Sequence, residues 1–122
     1  MIICQMAADH AESFQAAELD RAIATARAAD GYAGELLRSD LLSVGVYLLP
    51  PGGTDDQTPH NEDEVYYVVR GRGILRVGDE DHPVRQGTLL FVPAEAVHFF
   101  RDITEELVLV VFWAPPEKSV KR

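Results

Sequence analysis

Residues 57–73 read QTPHNEDEVYYVVRGRG. A polar run of one histidine and several carboxylates passes directly into an apolar run, which closes on Gly71-Arg72-Gly73. Val65, Tyr66, Tyr67, Val68 and Val69 are β-branched or aromatic, the composition of a strand. Side chains alternate along a strand, so Glu64, Tyr66 and Val68 share one face and Asp63 and Val65 point to the other. Gly71 supplies a tight joint to a second strand-like segment, GILRVG at 73–78. The stretch therefore sets groups able to bind a ligand at the mouth of a hydrophobic strand.

Working outward, the same strand chemistry recurs. YAGELLR (32–38) and LLSVGVYLLP (41–50) read as two strands joined at Ser39-Asp40. PPGGTDDQTPHNED (50–63) has prolines, glycines and aspartates without an apolar period and reads as a loop. HPVRQ (82–86) is a short edge segment, because Pro83 cannot donate to a ladder. TLLFVP (88–93) and VHFFRD (97–102) flank the turn at PAEA, and ELVLVVFWAP (106–115) is a long apolar strand stopped by Pro115-Pro116. Seven or eight short strands at this spacing predict a sandwich or barrel. Upstream, residues 11–29 are rich in alanine and other helix formers, with Leu19, Ile23 and Ala26 on one face and a stop at Asp30-Gly31. The expected architecture is all-β, preceded by an N-terminal helix. Residues 1–32 form the helical extension, 33–116 the β domain and 117–122 a frayed tail.

The chain has 122 residues, 47% of them hydrophobic and 25% charged, which suits one domain with a core that needs no staples. A net charge of −9 argues against nucleic acid and against anionic membranes as partners. The single cysteine, Cys4, excludes an internal disulfide. The opening MIICQMAADH lacks a basic segment followed by a long apolar one, so a cytoplasmic protein is expected.

One imidazole and one carboxylate hold a transition metal poorly, so His60 and Glu64 call for a third ligand. His98 is the candidate, just past a proline turn at the start of another strand, with Phe100 on the same face. Two histidines and one carboxylate would leave coordination positions for water or substrate. Tyr66 shares the face of Glu64, where its hydroxyl can serve a bound substrate or fill the core with its own partner. His10 and His82 are expected at the surface. The acidic run Asp55, Asp56, Glu62, Asp63 and Glu64 reads chiefly as a solvated loop. The parity of Tyr47, Arg76, Phe112 and Trp113 stays open, because one bulge reverses every later side chain.

These segments resemble the cupins. The first cupin motif runs glycine, five residues, His-x-His, three or four residues, glutamate, six residues, glycine. Gly52, Glu64 and Gly71 match it. With the shorter gap His60 is the second histidine and Thr58 stands in the place of the first. With the longer gap Gln57 and Pro59 take the two places. Either way one family histidine is missing. The second motif runs glycine, five residues, Pro-x-Gly, two residues, histidine, three residues, asparagine. Gly87, Pro93 and His98 match, Glu95 replaces the glycine and Asp102 the asparagine.

The resemblance spans about Leu41 to Phe112 and implies a double-stranded β-helix, or jelly-roll barrel, around a cavity. It gives metal-ligand roles to His60, Glu64 and His98, with Gln57 as a further oxygen donor. It implies a divalent transition metal (Fe, Mn, Zn or Ni). The substrate would be a small organic acid, enol or diketone-like molecule, and the enzyme a dioxygenase, isomerase or cyclase. The alternative is a non-catalytic cupin that binds or senses a small molecule. The final strand is apolar on both faces, more than one core needs, so a homodimer is expected.

Overall fold

The structure, a computed structural model, describes residues 13–53, 55 and 61–117. Helix α1 (Leu19–Ala28) precedes six strands: β1 (Tyr32–Arg38), β2 (Ser43–Leu49), β3 (Asp63–Val77), β4 (Glu80–Arg85), β5 (Leu89–Val92) and β6 (His98–Ala114). All pairings are antiparallel. The hydrogen-bonded path runs β1-β2-β6-β3-β4, with β5 also paired to β3, and it does not close. This is the all-β, helix-preceded architecture expected from the sequence.

The strand count differs from the seven or eight expected because two apparent pairs are single bent strands. EVYYVVR and GILRVG form one strand, β3, and VHFFRD and ELVLVVFWAP form another, β6. The β3–β6 ladder shifts register three times between Val68 and Ile74. Gly71 sits in that irregular stretch at φ +106. A Cβ there would lie 2.1 Å from the carbonyl oxygen of Glu106, so the close approach of the two strands requires glycine.

The bend reverses the alternation. Glu64, Tyr66 and Val68 face inward before it, and Leu75 is buried after it. On β6, His98 and Phe100 face inward before Asp102, and Leu107, Leu109, Val111 and Trp113 are buried beyond it. Asp102 has φ +48 and Glu95 φ +69, so both residues that depart from the second motif hold a left-handed conformation. Glycine adopts that conformation freely and asparagine and aspartate tolerate it, whereas a residue such as Glu95 is strained there by about 1–2 kcal/mol.

Each long strand thus serves two layers. The first half of β3 pairs with β5 and the C-terminal part of β6. The second half of β3 pairs with β4 and the N-terminal part of β6. One core cluster spans both layers, joining Tyr66, Leu109, Val111 and Trp113 to Leu75, Val84, Phe100 and Ile103. Each of these buried apolar side chains contributes roughly 1.5–3 kcal/mol of transfer free energy.

Helix α1 is shorter than the predicted 11–29 and covers part of the outer face of the sheet. Ala22, Ile23 and Ala26 pack on Val46, Leu48 and Val108, while Leu19, expected on this face, is 38% exposed. Residues 13–18 are not helical. Gln15 instead bonds the backbone of Arg38 twice, its side-chain amide donating to the carbonyl at 2.6 Å and its oxygen accepting from the N–H at 2.9 Å. The helix stops as expected, with Asp30 and Gly31 at φ +59 and +89 and the Gly31 N–H donating to Ala26 O at 2.7 Å. No helix among the described residues is long and apolar enough to cross a membrane.

Candidate metal centre

Glu64 and His98 come from segments 34 positions apart and meet inside the sheet. Glu64 begins the inward-facing series of β3. His98 begins β6, delivered by the turn at Pro93–Ala96, where the Ala96 N–H bonds the Pro93 carbonyl. His98 Nε2 lies 3.0 Å from Glu64 Oε1, and both side chains are almost fully buried. Tyr66 Oη donates to Glu64 Oε2 at 3.0 Å and stands 3.1 Å from His98 Nε2. The Tyr66 ring meets Phe100 edge-on, with centroids 5.1 Å apart at 88°.

The tautomer follows from the contact made by the other ring nitrogen. His98 Nδ1 lies 2.9 Å from the carbonyl oxygen of Ala96, which can only accept, so Nδ1 carries a proton. In neutral His98 the lone pair is then on Nε2, facing the carboxylate. Two lone-pair-bearing atoms at this distance need a hydrogen between them, carried by Nε2 or by the carboxyl, or else a metal ion. Burial opposes the imidazolium most strongly. It is outweighed by the hydrogen bonds to Glu64 and Ala96 and by the charges of Glu64 and Asp55, so the His98 pKa is raised. The donor set therefore fits a cation: an imidazole nitrogen oriented by a backbone carbonyl, and a carboxylate oriented by a phenol.

His60 and Gln57 lie outside the described residues, as do Thr58, Pro59 and Asp56. Among the described residues, no three side chains of histidine, cysteine, aspartate or glutamate are grouped so as to hold a metal ion. His10 and Cys4 are likewise outside the described residues, and His82 is exposed on β4 as expected.

The acidic run is not the solvated loop expected. Asp55, Glu62 and Glu64 are buried, while Asp63 is exposed. Asp55 Oδ2 accepts the Phe100 N–H at 2.7 Å, which ties the loop to β6 two residues beyond His98. Asp63 Oδ1 accepts the Ala94 N–H at 2.8 Å and so fixes the turn that delivers His98. No periodicity marks Asp55 for this role, because it stands alone in an aperiodic loop.

The residues of open parity now take sides. Tyr47 packs against the inner core, and Trp113, cross-strand partner of Glu64, is buried in it. The Trp113 indole N–H has no hydrogen-bond partner among the described residues. Burial, followed by the charges of Asp55, Glu117 and Glu64, pushes the Tyr47 hydroxyl up to about 12. Tyr47 is therefore a neutral phenol at the acidic side of the site. Arg76 faces outward in an ion pair with Asp81 at 2.8 Å, and Phe112 is 40% exposed.

The pattern of the cupin domain matches residues 45–115. An uncharacterized protein of Streptomyces coelicolor is 44% identical over 103 residues, covering 84% of this chain and 98% of its own. The solved structure of TT1209 from Thermus thermophilus is 29% identical, covers 84% of this chain and 99% of its own, and superposes with a TM-score of 0.66. An RmlC-like cupin family protein from Methanocaldococcus jannaschii, described as a double-stranded β-helix, covers 86% of this chain and 92% of its own at 19% identity and a TM-score of 0.63, a likeness of fold. With that pattern matched across more than half its length and the jelly-roll architecture in place, the chain belongs to the cupin family.

Proposed function

We propose that this cupin binds a divalent transition metal through His60, Glu64 and His98, with Gln57 as a further oxygen donor, and acts on a small organic acid, enol or diketone-like molecule. Cupins commonly bind transition metals. The observation that carries the reading is the 3.0 Å approach of His98 Nε2 to Glu64 Oε1 in a buried site where Nδ1 is already committed to a carbonyl. A divalent ion on two neutral imidazoles and one carboxylate would carry a net charge of about +1, supplying Lewis acidity toward an anionic or bidentate oxygen donor.

The chain's own groups divide the remaining work. Glu64 serves as a ligand, so it is not available as a general base. Tyr66 orients the Glu64 carboxylate through its hydroxyl. Phe100, Trp113 and Val111 keep the neighbourhood apolar and exclude water, which strengthens each polar contact inside.

Metal analysis of the purified protein and of His60→Ala, His98→Ala and Gln57→Ala tests the ligand set. Each histidine variant should lose most of the metal and Gln57→Ala less. Full retention in both histidine variants overturns the assignment. Oxygen uptake with a panel of diketones and catechols separates a dioxygenase from the second reading, a non-catalytic module that binds its ligand tightly without turnover.

A further inference from the structure

The cleft at the bend of β3 carries a charge pattern that the fold does not need. Arg70, Arg72, Arg85 and Gln86 line it, with Glu105 and Glu106, around a volume of about 360 Å³. That volume suits a small molecule. Arg72 and Arg85 are direct cross-strand partners in the β3–β4 ladder. Such partners share a face, and like charges set directly opposite each other destabilise a sheet. Arg70 adds a third guanidinium from the other side of Gly71. Among the described residues, Arg70 and Arg85 make no side-chain hydrogen bond and no ion pair, whereas Arg27, Arg38, Arg76 and Arg101 each meet a carboxylate. We infer that this cleft binds the phosphate dianion of a small soluble molecule, seated among the three guanidiniums.

The carboxylates in the cleft do not fill that place. Glu106 is taken by Arg27, which donates to both of its oxygens at 2.7 and 3.0 Å. Glu105 lies 3.5 Å from Arg72 Nε with both side chains more than half exposed, so that pair is worth little. With Arg27 counted, four guanidiniums stand against two carboxylates, a local surplus of positive charge in a chain of net −9. A guanidinium meets phosphate oxygens with a planar fork of donors. Several forks on one group suit a tetrahedral phosphate, whereas a planar carboxylate is met by one or two. Backbone contacts hold the walls in place. The Gly87 N–H donates to Val68 O at 2.8 Å, the Val68 N–H to Thr88 O at 2.9 Å and the Arg85 N–H to Thr88 Oγ1 at 3.0 Å. They fix the turn bearing Arg85 and Gln86 against β3. An anion between Arg72 and Arg85 turns their mutual repulsion into shared attraction. The negative charge of the whole chain opposes approach to an anionic bilayer, which favours a soluble source over a lipid headgroup. None of Glu64, Tyr66 and His98 lines the cleft, so the inference does not rest on the candidate metal centre.

Titration of the isotope-labelled full chain with inorganic phosphate and with glycerol phosphate, followed by NMR, tests the inference. The pH is held at about 8, where a phosphomonoester is a dianion, and chloride keeps the ionic strength constant. Saturating shifts should appear at the side-chain N–H groups of Arg70, Arg72 and Arg85, and acetate should bind about tenfold more weakly or less. Arg72→Gln and Arg85→Gln should each weaken phosphate binding about tenfold, the loss of one charge-assisted hydrogen bond, and either variant suffices should the other fail to fold. Glu105→Gln should strengthen it. Arg21→Gln makes the same charge change at an exposed position of α1 outside the cleft and should leave it unaltered. In phosphate-free buffer Arg85→Gln should melt no lower than Arg21→Gln, because a repelled arginine is not missed and a structural one is. A lower midpoint, shifts that chloride reproduces, acetate binding equal to that of phosphate, or phosphate affinity that survives in the folded cleft variants overturns the inference. So does binding to vesicles of phosphatidylcholine with phosphatidic acid that exceeds binding to phosphatidylcholine alone, which would make a lipid the source.

Discussion

Replacing Tyr66 with phenylalanine removes one oxygen from the centre of the site and leaves the ring in place. The ring is fully buried and stacked edge-on against Phe100, so Tyr66→Phe should open no cavity larger than that atom. What is lost includes the donor to Glu64 Oε2, at 3.0 Å, and the 3.1 Å contact to His98 Nε2. Glu64 is 2% exposed, so water has little room to replace that donor. A hydrogen bond to a buried charged group is worth about 1.5–3 kcal/mol. Midpoints move by about 4–8 °C per kcal/mol in domains under 100 residues and about 2–4 °C in those above 150. In metal-free protein the midpoint should therefore fall by about 5–10 °C. Urea unfolding followed by circular dichroism should show the same loss with an unchanged slope. Because the phenol orients a ligand, the variant should also bind metal about 10–100-fold more weakly. A stability change under about 0.5 kcal/mol together with unaltered metal affinity would refute the role given to Tyr66.

Two further outcomes follow from contacts away from the site. Gly71→Ala combines a φ of +106 with a Cβ 2.1 Å from a backbone carbonyl, so it should cost about 3–5 kcal/mol in urea unfolding. Gly78→Ala, at φ +60 in open space, should cost only about 1 kcal/mol, and equal losses would show that the strand approach at Gly71 is not what demands glycine. The hydrogen bond from Arg27 holds the Glu106 carboxyl below its usual value of 4.5. A lowered carboxyl pKa stabilises the fold in full above the unfolded value, and the effect is lost as pH falls through the folded one. Wild type should therefore exceed Glu106→Gln in stability at pH 7, and the difference should shrink below pH 4.5; a gap that widens on acidification would contradict the pairing.

Much of this molecule was legible one segment at a time. The alternation of Glu64, Tyr66 and Val68 put all three on one inward face, and the structure buries all three. The stop at Asp30-Gly31 and the hairpin from β1 to β2 depend on local backbone chemistry, so they too could be read locally. His98 and Glu64 were paired through motif spacing, and they do meet.

The remaining features depend on contacts that spacing does not encode. GILRVG and EVYYVVR look like two strands because glycine ordinarily ends a strand, yet Gly71 continues one strand through a bend that only its close neighbour, Glu106, explains. Asp55 and Asp63 read as solvated charges until their oxygens are found on the backbone N–H groups of Phe100 and Ala94. The sequence by itself determined which residues face in along each unbroken run, because side-chain alternation is a local property of extended backbone. Only the tertiary structure decided where that alternation reverses and which acids are buried, because each of these is set by a neighbour distant along the chain.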